Sequence, residues 1–346
     1  MKGSVPMARW KRLCKGWAAK GPARCVAAAL AAALVWCCAA PAAGQAPTAA
    51  REGRAVAVTF DDLPLGGAQF GGERLRAMTA KLLAACREHG IPAVGFVNEG
   101  KLYRPGEVDA QIAVLRMWAD AGLELGNHTY SHPSFQTTPL EAFQDEVVRG
   151  DTVTRQLLAA KGKRPRYFRH PFLRTGPTAE ARASFEQFLA ARGYAVAPVT
   201  VDNSDWMFAF VYAAAAGRGD AESMRRLGRA YVAYMEEVFE FHERASQALF
   251  GRQVRQTLLL HANELNADYF GEVAGLLRRR GYAFVTLEEA LRDAAYAEPD
   301  RYAGPAGVSW FYRWDFTRGR RQVNWREEPE VPAFVRRLYD ELRAAG

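Results

Sequence analysis

The sequence predicts an α/β fold in which parallel strands and helices alternate to form a barrel. First, short apolar runs alternate with amphipathic segments of helical spacing between residues 54 and 295, which is typical of parallel sheets. Second, polar residues fall at or just past the ends of five predicted strands, and in a (β/α) barrel these ends meet on one face. Third, 346 residues with 49% hydrophobic content are enough for a large packed domain.

Residues 55–60 predict a buried first strand, since apolar residues alternate there with small ones. The adjacent carboxylates Asp61 and Asp62 follow where this strand ends. Neighbouring ionised carboxylates repel each other, so a fold that keeps two of them at a strand end usually supplies a cation or a shared proton. A surface turn is the alternative interpretation, because Asp is common after strands.

The remaining segments continue the alternation. Further strands are predicted at residues 93–97, 123–126, 166–168, 194–201, 257–260 and 282–286. Helices are predicted at residues 73–89, 109–121, 140–161, 179–192, 271–280 and 287–295. The polar residues at the strand ends are Asp61, Asp62, His128, His132, Arg169, Asp202, Asp205 and His261. Their common position predicts one functional face.

Two regions depart from this alternation. Residues 207–256 have no strand pattern, and apolar residues recur at helical spacing from Asp220 onward, which predicts a helical insertion with one long amphipathic helix. We interpret His242, on or beside its apolar face, as a packed core residue. Residues 296–346 form an aromatic-rich C-terminal extension that ends in an amphipathic helix near 331–345. We interpret its aromatic residues as packing, with stacking on sugar rings as the alternative.

Residues 1–44 have the pattern of a secretory signal peptide. Basic residues without any acidic residue precede the apolar run 25–40, and small residues lie around 42–44. Residues 45–53 are predicted to be a linker. We therefore expect export to the periplasm or the cell exterior, with no stable membrane span after cleavage, because the apolar run is short. Retention of the leader as an uncleaved anchor is the alternative.

The formal charge of +8 comes almost entirely from this leader. The rest of the chain is nearly neutral and gives no reason to expect nucleic acid as a partner. Cys86 is the only cysteine outside the leader, so the sequence predicts no disulfide and no cysteine pair for zinc. Any metal ion must be bound by histidine and carboxylate.

His128 and His132 are four residues apart, about one helical turn, so both imidazoles can face one point. Two neutral imidazoles and one carboxylate are a common catalytic zinc set with an open position for water. An isolated histidine pair is weak evidence, and two surface histidines are the alternative. The prediction gains strength from Asp61 and Asp62 at the same end of the sheet.

At these residues the chain resembles the polysaccharide deacetylases, the NodB-homology group that forms carbohydrate esterase family four. Five short motifs carry the resemblance, in order: Thr59-Phe-Asp-Asp62, His128-Thr-Tyr-Ser-His-Pro133, Arg169-His-Pro-Phe172, Asp202-Asn-Ser-Asp-Trp206 and Leu258-Leu-Leu-His261. The resemblance covers about residues 54–295 and implies a distorted (β/α) barrel of seven or eight strands.

The resemblance also implies a role for each motif residue. Asp62, His128 and His132 would bind one divalent metal ion, expected to be Zn²⁺, with Co²⁺, Ni²⁺ or Mn²⁺ as alternatives. Asp61 would be the general base for the attacking water. His261 would be the general acid that protonates the leaving nitrogen or oxygen.

Further positions would support this machinery. Asp205 would pair with the general acid and raise its pKa, and Arg169 would hold the general base in place. The backbone amide at Phe172 would help to stabilise the oxyanion. Leu260 or Trp206 would form the wall of the pocket for the acetyl methyl group.

Some residues leave more than one interpretation open. We interpret His170, within the third motif, as a packed spacer. Asp202 fits a turn cap and ranks below Asp205 as a functional residue. Asn263 and Glu264 follow a predicted barrel strand, a position from which they could line the cleft. The long stretch between the fourth and fifth motifs predicts a lid or an altered substrate groove.

The expected activity is hydrolysis of N-acetyl groups on an amino-sugar polymer, such as peptidoglycan, a chitin-like chain or an exopolysaccharide. The expected partner is therefore an acetylated polysaccharide or oligosaccharide. An O-acetyl esterase acting on acetylated xylan is an alternative, and a small-molecule amide or ureide hydrolase is another. A non-catalytic glycan-binding relative is disfavoured, because a binding module has no need for both Asp61 and His261.

Overall fold

The computed structural model describes residues 54–67, 69–319 and 321–345. The predicted signal peptide and linker, residues 1–53, lie outside the described residues. In the part of the chain that the structure describes, no helix is both long enough and apolar enough to cross a membrane.

Seven parallel strands form one curled sheet. They are β1 (Ala55–Leu63), β2 (Val94–Val97), β3 (Glu124–Asn127), β4 (Tyr167–Phe168), β5 (Ala195–Val196), β6 (Gln256–His261) and β7 (Ala283–Phe284). The strand order is β5-β4-β3-β2-β1-β6, and β7 pairs with the start of β1. A parallel bridge from Val201 to Leu258 connects the segment after β5 with β6. The segment that follows β5 therefore lies next to β6, and the predicted distorted (β/α) barrel is confirmed with seven strands.

Eleven α-helices surround this sheet in the described residues. They are α1 (Gly72–Glu88), α2 (Val108–Asp120), α3 (Leu140–Arg149), α4 (Thr152–Ala159), α5 (Ala179–Ala191), α6 (Asp205–Gly217), α7 (Ala221–Phe250), α8 (Glu264–Arg279), α9 (Leu287–Leu291), α10 (Trp310–Arg318) and α11 (Ala333–Ala345). The long helix expected from Asp220 onward is α7, and its apolar face is buried.

Successive side chains of the central strand β1 point alternately to the helices outside the barrel and to the barrel interior. Phe60 points outward to the helices, where its ring makes edge contacts with Trp118 and Phe270 at centroid distances of 5.7 and 5.1 Å. Thr59 and Asp61 point to the other face, where both contact the buried Arg169. The register of β1 thus places a carboxylate inside the barrel at its C-terminal end.

The single helix predicted at 140–161 is wrong, because the chain breaks between α3 and α4. Gly150 packs so closely on the loop after β3 that a Cβ there would lie 2.6 Å from the carbonyl carbon of Thr129. The new helix begins where the buried Glu99 carboxylate accepts hydrogen bonds from Val153 N and Thr154 N, at 3.0 and 2.6 Å. An acid at a helix N-terminus satisfies backbone donors that have no partner within the helix.

Of the other boundaries that differ from prediction, two have a clear physical reason. The strand expected at 194–201 is reduced to β5, because Pro198 has no N–H to donate to a ladder. The helix expected at 271–280 begins seven residues earlier, at Glu264. There the Asn263 side chain accepts a hydrogen bond of 2.9 Å from Asn266 N and caps the helix.

The aromatic residues of the C-terminal extension mostly pack, as expected. Phe311 and Trp314 of α10 are buried against the end of α7. His242 of α7 is 1% exposed and its ring lies over Phe311, in agreement with the interpretation of a packed core histidine. Cys86 is a buried free cysteine, and burial raises the pKa of its thiol to about 12.

Candidate active site

The strand ends deliver the predicted polar side chains to one cavity of about 720 Å³, within the range of about 300–1,000 Å³ typical of ligand sites. Its lining includes side chains from the ends of β1 and β6 and from the loop after β3: Asp61, Asp62, His128, His132 and His261. Arg169 and Asp205 are fully buried and contact members of this group.

Asp62, His128 and His132 come together as a potential metal-binding group. One ligand atom from each lies within 4.8 Å of the others. Asp62 Oδ1 is 3.6 Å from His132 Nε2 and 3.8 Å from His128 Nε2. No other group of three or more His, Cys, Asp or Glu residues in the described chain lies this close together.

A turn, not a helix, brings the two imidazoles together. Thr129 and His132 have left-handed backbones with φ of 69° and 61°. The turn is held by hydrogen bonds from Thr129 N to Asn127 Oδ1, at 2.8 Å, and from His132 N to Thr129 Oγ1, at 3.0 Å. The helical-turn argument for the spacing is therefore wrong, although the two rings do meet, with centroids 4.8 Å apart. Strained backbones of this kind concentrate at functional sites.

Both imidazoles are prepared to act as neutral ligands. His128 Nδ1 donates to the carbonyl oxygen of Arg169 at 2.8 Å, which leaves Nε2 directed at the carboxylates. Burial, with help from His132, holds the pKa of His128 well below its usual value. Burial also lowers the pKa of His132. The neutral form of histidine is the one that binds metal ions.

The donor set fits a divalent cation. The Oδ1 atoms of Asp61 and Asp62 are buried and accept no hydrogen bond from the described residues, an arrangement that usually has a missing partner. Burial favours a higher pKa for Asp62, but the Lys101 ammonium and the cationic His261 favour the ionised carboxylate, and the pKa lies below its usual range. An ionised carboxylate facing two neutral imidazoles is a common zinc-binding set.

Lys101 was not predicted from the sequence. Its Nζ lies 3.3 Å from Asp62 Oδ1 without hydrogen-bond geometry and donates to the main-chain oxygens of Asp62 and Leu65 at 3.3 and 3.2 Å. It therefore fixes the backbone that carries the carboxylate. No local pattern distinguishes Lys101 from an ordinary surface lysine, since its partners lie almost forty residues away.

Asp61 is oriented by Arg169. The guanidinium places Nη1 3.3 Å from Asp61 Oδ2 and is itself held by Thr59 Oγ1 at 3.0 Å and by the carbonyl of Ala197 at 2.9 Å. Burial raises the pKa of Asp61 to about 6, although Arg169 and His261 lower it. Asp61 is thus an ionised carboxylate at neutral pH with the proton affinity of a useful base.

His261 is held by Asp205. His261 Nδ1 lies 2.7 Å from Asp205 Oδ1, and Asp205 Oδ2 accepts from His261 N at 2.8 Å and from Asn266 Nδ2 at 2.7 Å. Burial lowers the pKa of His261, but the charge and hydrogen bond of Asp205, together with the two strand-end carboxylates, raise it to about 9. The imidazole is therefore cationic at neutral pH, and its side chain is 19% exposed toward the cavity.

Of the three residues expected to contact substrate, two line the cavity and one does not. Phe172 lines the cavity in a left-handed conformation, φ 57°, with its ring 4.4 Å from that of His132. Trp206 also lines the cavity. The expectation for Leu260 is wrong, because strand alternation directs it into the outer core, fully buried, while Leu259 lines the cavity.

The structure also shows the positions of the four residues for which the sequence allowed more than one interpretation. His170 is buried against Phe135, Phe143, Phe168 and Phe185, as expected for a packed spacer. Asp202 both lines the cavity and accepts a hydrogen bond from Asn203 N at 2.9 Å. Asn263 lines the cavity and caps α8, whereas Glu264 pairs with Arg74 at 2.7 Å outside it.

The fold and the site together define a class of protein. It is a parallel (β/α) barrel that carries an Asp-His-His group, a further carboxylate and a further imidazole at the C-terminal ends of its strands. Residues 48–188 match the family model described as Polysaccharide deacetylase. This match covers about two fifths of the chain, and it confirms the resemblance to the polysaccharide deacetylases that the motifs predicted.

The chain is also similar to two curated deacetylases and to solved structures. A chitin deacetylase of Pestalotiopsis sp. is 29% identical over 153 residues, covering 43% of each chain. A peptidoglycan-N-acetylglucosamine deacetylase of Bacillus cereus is 24% identical over 152 residues, covering 44% of this chain and 46% of the relative. The chain thus spans less than half the length of these curated relatives. A solved structure described as a CE4 family pseudoenzyme from Bacillus anthracis is 17% identical, with a TM-score of 0.44, over 69% of this chain and 66% of that one.

Proposed function

We propose that this protein is an exported, metal-dependent deacetylase that hydrolyses N-acetyl groups of an amino-sugar polysaccharide. One observation carries the proposal. A carboxylate held ionised by Arg169 and an imidazole held cationic by Asp205 line the same cavity as the Asp-His-His group. Amide hydrolysis requires a deprotonated general base and a protonated general acid at the same pH.

Each residue has a distinct task in this proposal. Asp62, His128 and His132 hold the divalent cation, which when bound acidifies water and polarises an acyl oxygen. Asp61 accepts the proton of the attacking water, since its pKa is about 6 and its Oδ1 is free. His261 donates a proton to the departing amine, which cannot leave as an anion. Proton transfer of this kind typically contributes about 10²–10⁴-fold in rate.

The substrate class is inferred from the relatives. The two curated relatives are named as deacetylases of chitin and of N-acetylglucosamine in peptidoglycan. Both names refer to N-acetylated amino-sugar polymers. The basic and apolar residues 1–44 support export to the compartment where such polymers occur. Zn²⁺ is our choice of cation, because a two-histidine, one-carboxylate set is common in catalytic zinc sites.

The test is release of acetate from a panel of N-acetylated and O-acetylated glycans, with and without a chelator. We expect release from an N-acetylglucosamine oligomer, loss after chelation and recovery on addition of Zn²⁺. The Asp61→Asn variant should keep the metal ion and lose at least about 10²-fold in kcat.

Different outcomes would point to different functions. Release from acetylated xylan alone would replace the amide substrate by an ester. Activity that survives removal of metal would contradict the proposed role of the Asp-His-His group. Glycan binding without any acetate release would indicate a non-catalytic relative.

A further inference from the structure

We propose that the C-terminal extension completes the substrate cleft. In this proposal Tyr339 of α11, with Trp206 and Phe210 of α6, forms an aromatic subsite for a sugar residue next to the one being deacetylated. The inference rests on the proposed function and adds to it that an oligomer, not a single sugar, is the preferred substrate. It also gives a role at the site to a segment outside all five motifs.

Two aromatic residues of this subsite are exposed, and the third, Tyr339, is half-buried. Trp206 is 45% exposed and Phe210 is 36% exposed, and both line the 720 Å³ cavity together with Tyr339. Large apolar side chains that stay in water while lining a ligand cavity are typical of binding surfaces.

The three rings form one cluster. The Tyr339 ring meets Trp206 edge to face at a centroid distance of 5.5 Å and Phe210 at 5.1 Å. Such contacts fix the orientation of aromatic side chains. Trp206 directly follows Asp205, which holds His261, so the cluster is tied by the chain itself to the predicted acid.

The helix that carries Tyr339 is firmly attached to the barrel. Val335 of α11 is fully buried in the main core. The ring of Phe334 lies under the guanidinium of Arg226, at 4.2 Å. Tyr339 is therefore held by its helix at a fixed place on the cavity edge.

The extension reaches a second wall of the same cavity. Ala306 and Gly307 line it, and a Cβ at Gly307 would lie 1.6 Å from the carbonyl oxygen of Phe172. The following helix is fastened by a 2.7 Å hydrogen bond from Trp310 N to the carbonyl oxygen of Val199. The extension thus contributes to two walls of the cleft.

The expected occupant is an uncharged sugar ring. The three rings of the subsite carry no charge and can pack against the C–H faces of a pyranose. They provide no charged group that could pair with an ionic ligand. The subsite is continuous with the cavity that holds the predicted base and acid. A polymer bound with one residue at those groups would therefore bring a neighbouring residue to the rings.

The test compares Tyr339→Ala with the wild type on two substrates: an N-acetylglucosamine pentamer and the N-acetylglucosamine monosaccharide. We expect kcat/KM on the pentamer to fall about 3–10-fold, which corresponds to the loss of one aromatic contact, and kcat/KM on the monosaccharide to change less than about 2-fold. Tyr339→Phe should retain pentamer activity, because the ring and not the hydroxyl makes the contact.

Two further variants keep the test decisive. Phe316→Ala is the matched control, since Phe316 is an exposed aromatic residue of the same extension that does not line the cavity. Phe210→Ala examines the same subsite from α6 if Tyr339→Ala does not fold.

Equal loss on both substrates, or no loss on the pentamer, would overturn the subsite while leaving the proposed function intact. Absence of acetate release by the wild type from both substrates would overturn the proposed function and the subsite with it.

Discussion

The pairing of His261 with Asp205 gives the sharpest test of the proposed acid. The pKa of His261 is raised from 6.5 to about 9, and Asp205 is the largest contribution that raises it. A difference of this size corresponds to about 3 kcal/mol of preference for the cation. In Asp205→Asn the charge is removed, and burial then favours the neutral ring, so we expect the pKa to fall to the ordinary value or below.

The consequence is a change in the alkaline limb of the pH profile. A general acid must be protonated, so activity is lost as the pH rises through its pKa. At pH 8 the cationic fraction of His261 should fall from about 0.9 to about 0.03, a loss of about 30-fold in kcat/KM, whereas at pH 6 the loss should stay within about 2-fold. The assay is acetate release from the N-acetylglucosamine pentamer between pH 5 and 10.

The matched control is Asp202→Asn, which removes a carboxylate that lines the same cavity but makes no hydrogen bond to the imidazole. It should move the alkaline limb much less. A uniform loss for Asp205→Asn at every pH would refute the electrostatic argument. It would show instead that Asp205 only orients the ring.

Two further predictions concern the groups around this acid. Arg169→Gln removes the guanidinium that lowers the pKa of Asp61, so the acid limb of the kcat/KM profile should move to higher pH. The apparent Tm should also fall, since removing one partner of a buried ion pair typically costs about 3–5 kcal/mol; an unmoved limb would contradict the coupling. Gly307→Ala places a methyl group against the Phe172 carbonyl, so that turn must shift. We expect kcat/KM to fall at least about 10-fold, as misplacement of a positioning group can do, while zinc content stays unchanged; normal activity would show that the Phe172 turn is not needed.

The strand ends could be predicted because they depend on local pattern. β1 and β6 are almost wholly buried runs that carry Asp61, Asp62 and His261 at their C-terminal ends, and the parallel arrangement brings these ends together. The sequence alone therefore predicts that the polar residues of the five motifs lie at one edge of the sheet. The direction in which each side chain points is harder to predict, since the cavity is lined by Leu259 and not by the expected Leu260.

The errors have a common physical origin in contacts distant along the chain. The break between α3 and α4 follows from Gly150 pressing on the turn that carries the histidines, and helical periodicity continues across it. Lys101 and Tyr339 reach the site from segments with no motif. Local propensity and residue spacing do not show which distant segments of the chain will contact a given residue in the fold.

The proposed Asp-His-His metal site is tested by the zinc content of the purified full chain after dialysis against a weak chelator, measured by elemental analysis. We expect one Zn²⁺ per chain in the wild type and in Asp61→Asn, and almost none in His128→Ala or Asp62→Ala. A wild type without bound metal, or a His128→Ala variant that keeps its full zinc content, would contradict the proposed metal site.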